Sequence, residues 1–309
     1  MWYNQRLKIA KTILNTMESN VVIRKNILVT GANGQLGQEF QQLEKNFTDY
    51  RFLFVAKDQL SITNENVVDD FFKNNKIDVC VNCAAYTAVD KAETEREIAI
   101  DVNSTAVGHL AKACKNYNAQ FIHISTDYVF DGKGTNPYTE NDLTNPVNFY
   151  GQTKLNGEIN ALKENDQSII IRTAWVYSSF GNNFVKTMMR LMNERASIGV
   201  VNDQFGCPTY AADLAEAIMQ IITSDKFIAG IYHYSNKGKI SWYNFAKEIA
   251  EQINSNCVVN GITTAQFPTP AARPSFSVLD TEKISSTFDI AIPEWKDSLQ
   301  KCLALLKLK

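Results

Sequence analysis

Short apolar runs alternate with amphipathic stretches through the first half of the chain. Lys25-Asn26-Ile27-Leu28-Val29-Thr30 reads as a buried strand, and a helical pattern opens near Gln35. Phe52–Ala56, Ile77–Cys83, Gln120–Ser125 and Ser168–Arg172 repeat the strand pattern, with helical segments at about 65–75, 91–117 and 148–164 between them. Continuous rather than alternating apolar strands, each followed by a helix, predict an α/β fold: a Rossmann-type, doubly wound parallel sheet covered on both faces. Beyond about residue 175 the pattern loosens. Amphipathic helices are expected at Asn183–Asn193, Asp213–Thr223 and Trp242–Ile253, a late strand at Gly230–Tyr234, and an irregular stretch from Pro268 through Pro274. This divides the chain into an extension at 1–24, a dinucleotide-binding domain at 25–175 and a smaller C-terminal substrate-binding lobe at 176–309. Segments near 210–236 return to the first domain.

With 309 residues, 45% of them hydrophobic, the chain can bury a large core, and its net charge of −2 offers no general attraction to nucleic acid or to an anionic membrane. The six cysteines follow no framework spacing and no secretory signal is evident, which implies reduced thiols in the cytoplasm. Cys80 and Cys83 have the C-x-x-C spacing, but residues three apart on a strand face opposite ways, so they read as two small packed residues. No apolar run is long enough to span a bilayer. Residues 1–24 are Lys-containing and helical in pattern, and Met17 stands eight residues before the first strand.

Gly31-Ala32-Asn33-Gly34-Gln35-Leu36-Gly37 lies between the first strand and the first helix. The first glycine permits a tight turn, the second lets the backbone approach a pyrophosphate, and the third lets helix and strand pack closely. The helix amino terminus adds free N–H donors and partial positive charge, which makes a dinucleotide cofactor, NADPH or NADH, the expected ligand. Ala56-Lys57-Asp58 ends the second strand, where the ribose 2′ position is read. An acid there would bind a 2′-hydroxyl and a cation would tolerate a 2′-phosphate; Lys57 and Asp58 are adjacent and either can face the ribose, and with Ala56 at the strand end the reading leans to NADPH, although Lys57 also fits a solvated surface.

Hydride exchange with such a cofactor needs a group that gives or takes a proton. His109 falls in a helical pattern and His123 and His233 fall in strands, positions that suit packed residues better than a general acid, and no metal-ligand spacing occurs. Tyr150-Gly151-Gln152-Thr153-Lys154 places Tyr150 and Lys154 on one helix face, where an ammonium would lower the phenol's pKa. Alone this spacing is a common accident. Here it follows a strand ending in Ser125-Thr126-Asp127-Tyr128, which puts a hydroxyl at the same sheet edge.

Taken together, Gly31–Gly37, Asn82–Glu93, Ser125–Phe130, Tyr150–Lys154 and Arg172–Tyr177 resemble the extended short-chain dehydrogenase/reductases, and most closely the dTDP-4-dehydrorhamnose reductase subgroup. Gly181–Phe184, Asn202–Thr209 and Ala272-Arg273-Pro274 resemble that subgroup as well, so the similarity runs from Lys25 to the C-terminus. The resemblance implies reduction of the C4 keto group of a nucleotide-linked 6-deoxy sugar. Tyr150 would then donate the proton, Lys154 would hold the nicotinamide ribose, and Thr126 would align the substrate carbonyl. Asn33, Gly34, Gln35, Leu36, Ala84, Ala85 and Tyr86 would line the cofactor. Thr87, Val89, Tyr128 and Trp175 would pack against the sugar, and Arg273 would meet the diphosphate. A homodimer is expected. Some relatives bind Mg2+ through glutamates at a dimer contact; Glu39 fits one such position, but Ala212 and Lys296 fall at the others, so no metal site is expected.

Two other readings stay open. One is a related sugar-nucleotide reductase, epimerase or dehydratase, although a dehydratase usually carries an Asp-Glu pair after the threonine and here Asp127-Tyr128 follows. The other is a non-catalytic subunit that binds NADP and a partner enzyme. Retention of Thr126, Tyr150 and Lys154 together favours an enzyme.

Overall fold

The computed structural model describes residues 25–224 and 226–308; the extension read at residues 1–24 lies outside them. Six strands form a parallel sheet: β1 (Lys25–Thr30), β2 (Tyr50–Val55), β3 (Val79–Asn82), β4 (Gln120–Thr126), β5 (Ile169–Thr173) and β6 (Gly230–Tyr234), in the spatial order β2-β1-β3-β4-β5-β6. The order reverses between β1 and β3, and the crevice outside the carboxyl ends of these strands is where ligands of open α/β sheets bind.

The sheet is buried because successive residues serve two different cores. Ile27, Val29, Val79, Val81, Ile122, Ile169 and Ile171 face α1 (Gln35–Leu43) together with a helix at Ala211–Thr223. Leu28, Cys80, Phe121 and Ile170 face α2 (Glu65–Asn74) and α3 (Ala106–Asn116) on the other side. Cys80 packs on this second face and Cys83 on the first, so the C-x-x-C spacing makes no pair. Removing the side chain of one such isoleucine would cost about 2–5 kcal/mol.

The single helix expected over 91–117 is broken. Short helices at Val89–Ala92 and Arg96–Ile100 lead into a π-helical turn at Asp101–Thr105, and regular α-helix resumes only with α3. The wide turn lets Asn103 leave the helix pattern. Its Oδ1 accepts from Tyr86 N at 2.8 Å, and its Nδ2 donates to Tyr86 O at 3.0 Å and Thr153 Oγ1 at 3.1 Å. One amide thus ties the loop after β3 to α4 (Phe149–Glu164).

The lobe has its own core of Tyr177, Val185, Met188, Phe245, Ile249, Trp295 and Leu299. It is built on α5 (Phe184–Glu194), α6 (Ala211–Thr223, the helix shared with the sheet), α7 (Trp242–Gln252) and α8 (Trp295–Lys307). Its strands are short two-stranded pairs, such as Ser197–Val201 with Val258–Ile262. Asn183 caps α5 by accepting from Lys186 N and also donates to Gln35 Oε1 at 2.9 Å, which binds the lobe to the glycine-rich turn.

Candidate active site

The glycine-rich turn is shaped by contacts as well as by flexibility. Gly31 adopts φ 66°, and a Cβ there would lie 2.7 Å from Ala84 N. A Cβ on Gly37 would lie 2.4 Å from Gly31 O, so Gly37 closes helix against strand rather than lining a cavity. Gly34 sits at the start of α1, and no side chain caps that helix end. Its amide donors therefore face the crevice, as a pyrophosphate requires.

Three cavities follow one another along the carboxyl edge of the sheet. The first, about 500 Å³, is lined by Gly31, Asn33, Gly34, Ala56, Lys57, Ser61, Thr63, Ala84, Ala85 and Tyr86. Lys57 reaches this cavity, whereas Asp58 is not part of its wall. The Tyr86 hydroxyl donates to Glu95 Oε2 at 2.6 Å, and this bond to a carboxylate pushes its pKa up to about 12. The middle cavity, about 480 Å³, shares Asn33, Gly34 and Ala85 with the first. Gln35, Leu36, Thr87, Val89, Thr126, Tyr128, Tyr150, Lys154 and Trp175 also line it. The third, about 280 Å³, shares Tyr128 and Trp242 with the middle one and is walled by Asp90, Phe184, Gln204, Thr269 and Arg273. The size and mixed polarity of these spaces suit small-molecule sites.

Helix α4 carries the central pair. Asn148 caps it by accepting from Gly151 N at 2.8 Å, and its amide donates to Ala272 O, which fixes the Arg273 segment beside the helix start. The Tyr150 ring meets the Tyr128 ring edge-on at 5.7 Å. The expectation that Lys154 lowers the pKa of Tyr150 is not met. Burial raises the phenol well above its ordinary value, Asp127 adds to the rise, and a hydrogen bond with the Thr126 side chain opposes it. Lys154 Nζ is instead directed into the sheet, donating to Ile124 O at 2.6 Å with His123 Nε2 at 3.2 Å. Burial brings Lys154 itself down to about 8.

Several residues of the site escaped the sequence reading. Asp127 is buried, and its Oδ1 accepts from Thr126 Oγ1 at 3.0 Å. Burial pushes the carboxyl up to about 6, against the opposing pull of the Ser277 and Thr126 hydroxyls. Behind α4, Arg172 and Glu158 form a fully buried pair at 2.7 Å, and Ser125 donates to the same carboxylate. Trp242 stacks on Trp175 with ring centroids 3.5 Å apart. Trp175 is held at φ 48°, and a Cβ on Gly206 would strike its ring at 2.6 Å. A non-glycine residue held in this region stores strain, which often accompanies a ligand wall. Of these, only Asp127 had a local signal, its position next to Thr126.

Arg273 is engaged within the protein. It pairs with Asp90 Oδ2 at 2.9 Å and donates to Ala271 O at 2.8 Å, while Ala271 N donates to Asp90 Oδ1. Burial of Asp90 opposes ionisation, but the bonds from Arg273 and Ala271 hold its carboxyl below the ordinary range. Glu39 is buried and accepts from Ser178 Oγ, and Lys296 pairs with Glu248 at 2.6 Å. Among the described residues no group of three or more His, Cys, Asp and Glu is arranged to hold a metal.

A family model described as the RmlD substrate binding domain matches residues 25–308. The chain is 41% identical over 288 residues to dTDP-4-dehydrorhamnose reductase of Aggregatibacter actinomycetemcomitans, covering 90% of this chain and 98% of that one. Among solved structures, a dTDP-4-dehydrorhamnose reductase from Clostridium acetobutylicum aligns with a TM-score of 0.88 and 42% identity, over 91% of this chain and 99% of that one. The same enzyme from Bacillus anthracis, solved in complex with NADP, aligns with a TM-score of 0.88 and 38% identity, again over 91% and 99%.

Proposed function

The chain belongs to the family of the RmlD substrate binding domain, and we propose on that basis that it reduces the C4 keto group of dTDP-4-dehydro-6-deoxy-L-mannose to give dTDP-L-rhamnose, with NADPH or NADH as reductant. The observation that carries the proposal is the sharing of walls between three consecutive cavities. Thr126, Tyr150 and Lys154 meet in the middle one, between a glycine-rich cradle and a wall bearing Arg273.

The residues fit the cofactor. The start of α1 and the Gly31–Gln35 turn would hold the pyrophosphate, Ala84, Ala85 and Tyr86 would flank the adenosine, and Lys154 would hold the nicotinamide ribose. Lys57 in the wall of the first cavity, with the hydroxyls of Ser61 and Thr63, favours a 2′-phosphate and hence NADPH. When bound, the reduced nicotinamide supplies the hydride.

The protein's own contribution is orientation and one proton. Thr126 and Tyr150 hydrogen-bond the carbonyl oxygen and are worth most as charge builds on it. Because burial keeps the Tyr150 hydroxyl protonated, it enters the reaction as an acid and gives its proton to the C4 oxygen. Tyr128, Thr87, Val89 and the stacked Trp175 and Trp242 hold the sugar, and Arg273 meets the diphosphate by exchanging its bond to Asp90 for one to phosphate. A homodimer in the cytoplasm belongs to the same proposal, and mass in solution tests the assembly.

The test is loss of reduced-nicotinamide absorbance when the purified protein meets the 4-keto sugar nucleotide, with NADPH and NADH in parallel. Oxidation should be faster with NADPH. Tyr150→Phe should lose about 10²–10⁴-fold in kcat with NADPH Kd nearly unchanged. Cofactor binding without turnover would count against the reductase and for a non-catalytic subunit.

A further inference from the structure

Behind Lys154 a line of buried polar side chains runs across the middle of the sheet. Thr30 on β1, Asn82 on β3 and His123 on β4 are each at most 1% exposed, and Lys154 is 2% exposed. Thr30 Oγ1 lies 2.6 Å from Asn82 Oδ1, Asn82 Nδ2 lies 3.0 Å from His123 Nδ1, and His123 Nε2 lies 3.2 Å from Lys154 Nζ.

Counting donors assigns the protons along this line. The backbone N–H of Ala84 can only donate; it lies 3.2 Å from Asn82 Oδ1 and 3.4 Å from Thr30 Oγ1, so the nearer atom, on Asn82, has to be an acceptor. The atom of Asn82 facing Ala84 is therefore the oxygen, and the atom facing His123 is the amide nitrogen, a donor. His123 Nδ1 must then accept, which leaves the ring proton of a neutral imidazole on Nε2. That N–H faces Lys154 Nζ. An ammonium has no lone pair to receive it; an amine has one. Lys154 in turn donates its own N–H to Ile124 O at 2.6 Å.

We propose that His123 is a positioning residue that holds Lys154 as a neutral amine by donating Nε2–H to it. Lys154 becomes an ammonium only by turning its nitrogen away from His123, toward the cleft that it also lines. His123 thus links the charge of Lys154 to its direction: amine when turned into the sheet, cation when turned toward the ribose and Tyr150. Other groups around Lys154 do not reverse this. Glu158, one turn along α4, favours the cation but is committed to Arg172 of β5. Cys83 after β3 has its thiol raised by burial and stays neutral, and burial, with Glu158 and Cys83 opposing it, brings Lys154 down to about 8. On the cleft side the titratable groups are Tyr150, raised by burial, and Asp127 beyond β4.

The proposal rests on the reductase reading only for its consequence, and the first measurement needs no turnover. Two-bond ¹H–¹⁵N spectra of the labelled wild-type protein report each ring's tautomer, and the chain has only three histidines. His123 is assigned by elimination against His109→Gln and His233→Gln. The expected result is a neutral ring with the proton on Nε2. A proton on Nδ1, or an imidazolium near neutral pH, would overturn the proposal. The second measurement is the pH dependence of NADPH Kd and of kcat/KM in His123→Gln, whose side-chain oxygen can accept from an ammonium. Both alkaline midpoints should rise by about one pH unit. Midpoints equal to those of the wild type would assign His123 a packing role and end the proposal.

Discussion

At one end of the cleft, the cavity holding Lys57 and Ala84 takes most of its wall from the chain just beyond β1, β2 and β3, three strands adjacent in the sheet. At the other end, the cavity holding Arg273 is walled by residues from Asp90 to Arg273 that converge from a loop, the α5 helix, a short strand and the proline-rich stretch. The first end is built largely of backbone: a turn too tight for side chains and a bare helix terminus. The second is built of side chains whose positions depend on one another, as in the Asp90–Arg273–Ala271 bonds. A dinucleotide is therefore met by geometry that any suitable strand–turn–helix supplies, whereas the sugar nucleotide is met by an arrangement that exists only after the lobe has packed.

The largest test of this contrast is Gly31→Ala. The new Cβ would have to occupy space 2.7 Å from Ala84 N at φ 66°. The left-handed conformation alone costs about 1–2 kcal/mol, and relief of the clash must move the turn away from the phosphates. NADPH Kd measured by fluorescence titration should rise about 100-fold or more, a change of about 2.7 kcal/mol. Unchanged cofactor affinity would show that backbone shape at this turn does not control binding.

This contrast also explains what could be read from the sequence. The β1 strand, the glycine turn and the Tyr150/Lys154 spacing lie within single elements, so period and residue type identify them. Helix α4 begins at Phe149 with Asn148 as its cap, one residue inside the expected boundary, because the cap is itself local chemistry. The helix expected at 91–117 failed because Asn103 is drawn away by Tyr86 and Thr153, partners 17 and 50 residues distant. The pKa expectation for Tyr150 failed for the same kind of reason. Spacing placed Lys154 on the right face, but the carbonyl of Ile124 and the ring of His123, both on a neighbouring strand, decide where its nitrogen goes. Trp242 had no signal at all, since its role depends on a ring 67 positions earlier.

A smaller effect is expected at the far end of the cleft. Arg273→Ala removes the cation of the third cavity, with its pair to Asp90 and its bond to Ala271 O, and leaves Asp90 only the bond from Ala271 N. KM for the sugar nucleotide should rise about 10–100-fold, while NADPH Kd and the kcat reached at saturation change little, the pattern of lost uniform binding. If NADPH binding weakened equally, the two ends of the cleft would be one coupled unit and the contrast between them would fail.

The last effect concerns Asp127, on the boundary between the two ends, and falls on stability more than on binding. Its carboxyl is raised to about 6 by burial, against an unfolded value of 3.8. Between those two values the native state binds more protons than the unfolded chain, so its contribution to stability falls as pH rises through the window. Above about pH 6 the full cost is present, on the order of 2–3 kcal/mol. Asp127→Asn removes that titration and keeps a group able to hydrogen-bond Thr126. Its Tm should exceed that of the wild type at pH 7 to 8, with the gap closing as pH falls toward 4. Activity should fall, because Thr126 loses the anionic acceptor at 3.0 Å that orients its hydroxyl toward the substrate carbonyl. Identical Tm curves for the two proteins across that range would mean Asp127 ionises in the native state as freely as in water. A variant both more stable and less active would instead locate a trade of stability for alignment at the buried carboxylate beside Thr126, where the backbone-built and side-chain-built ends of the cleft meet.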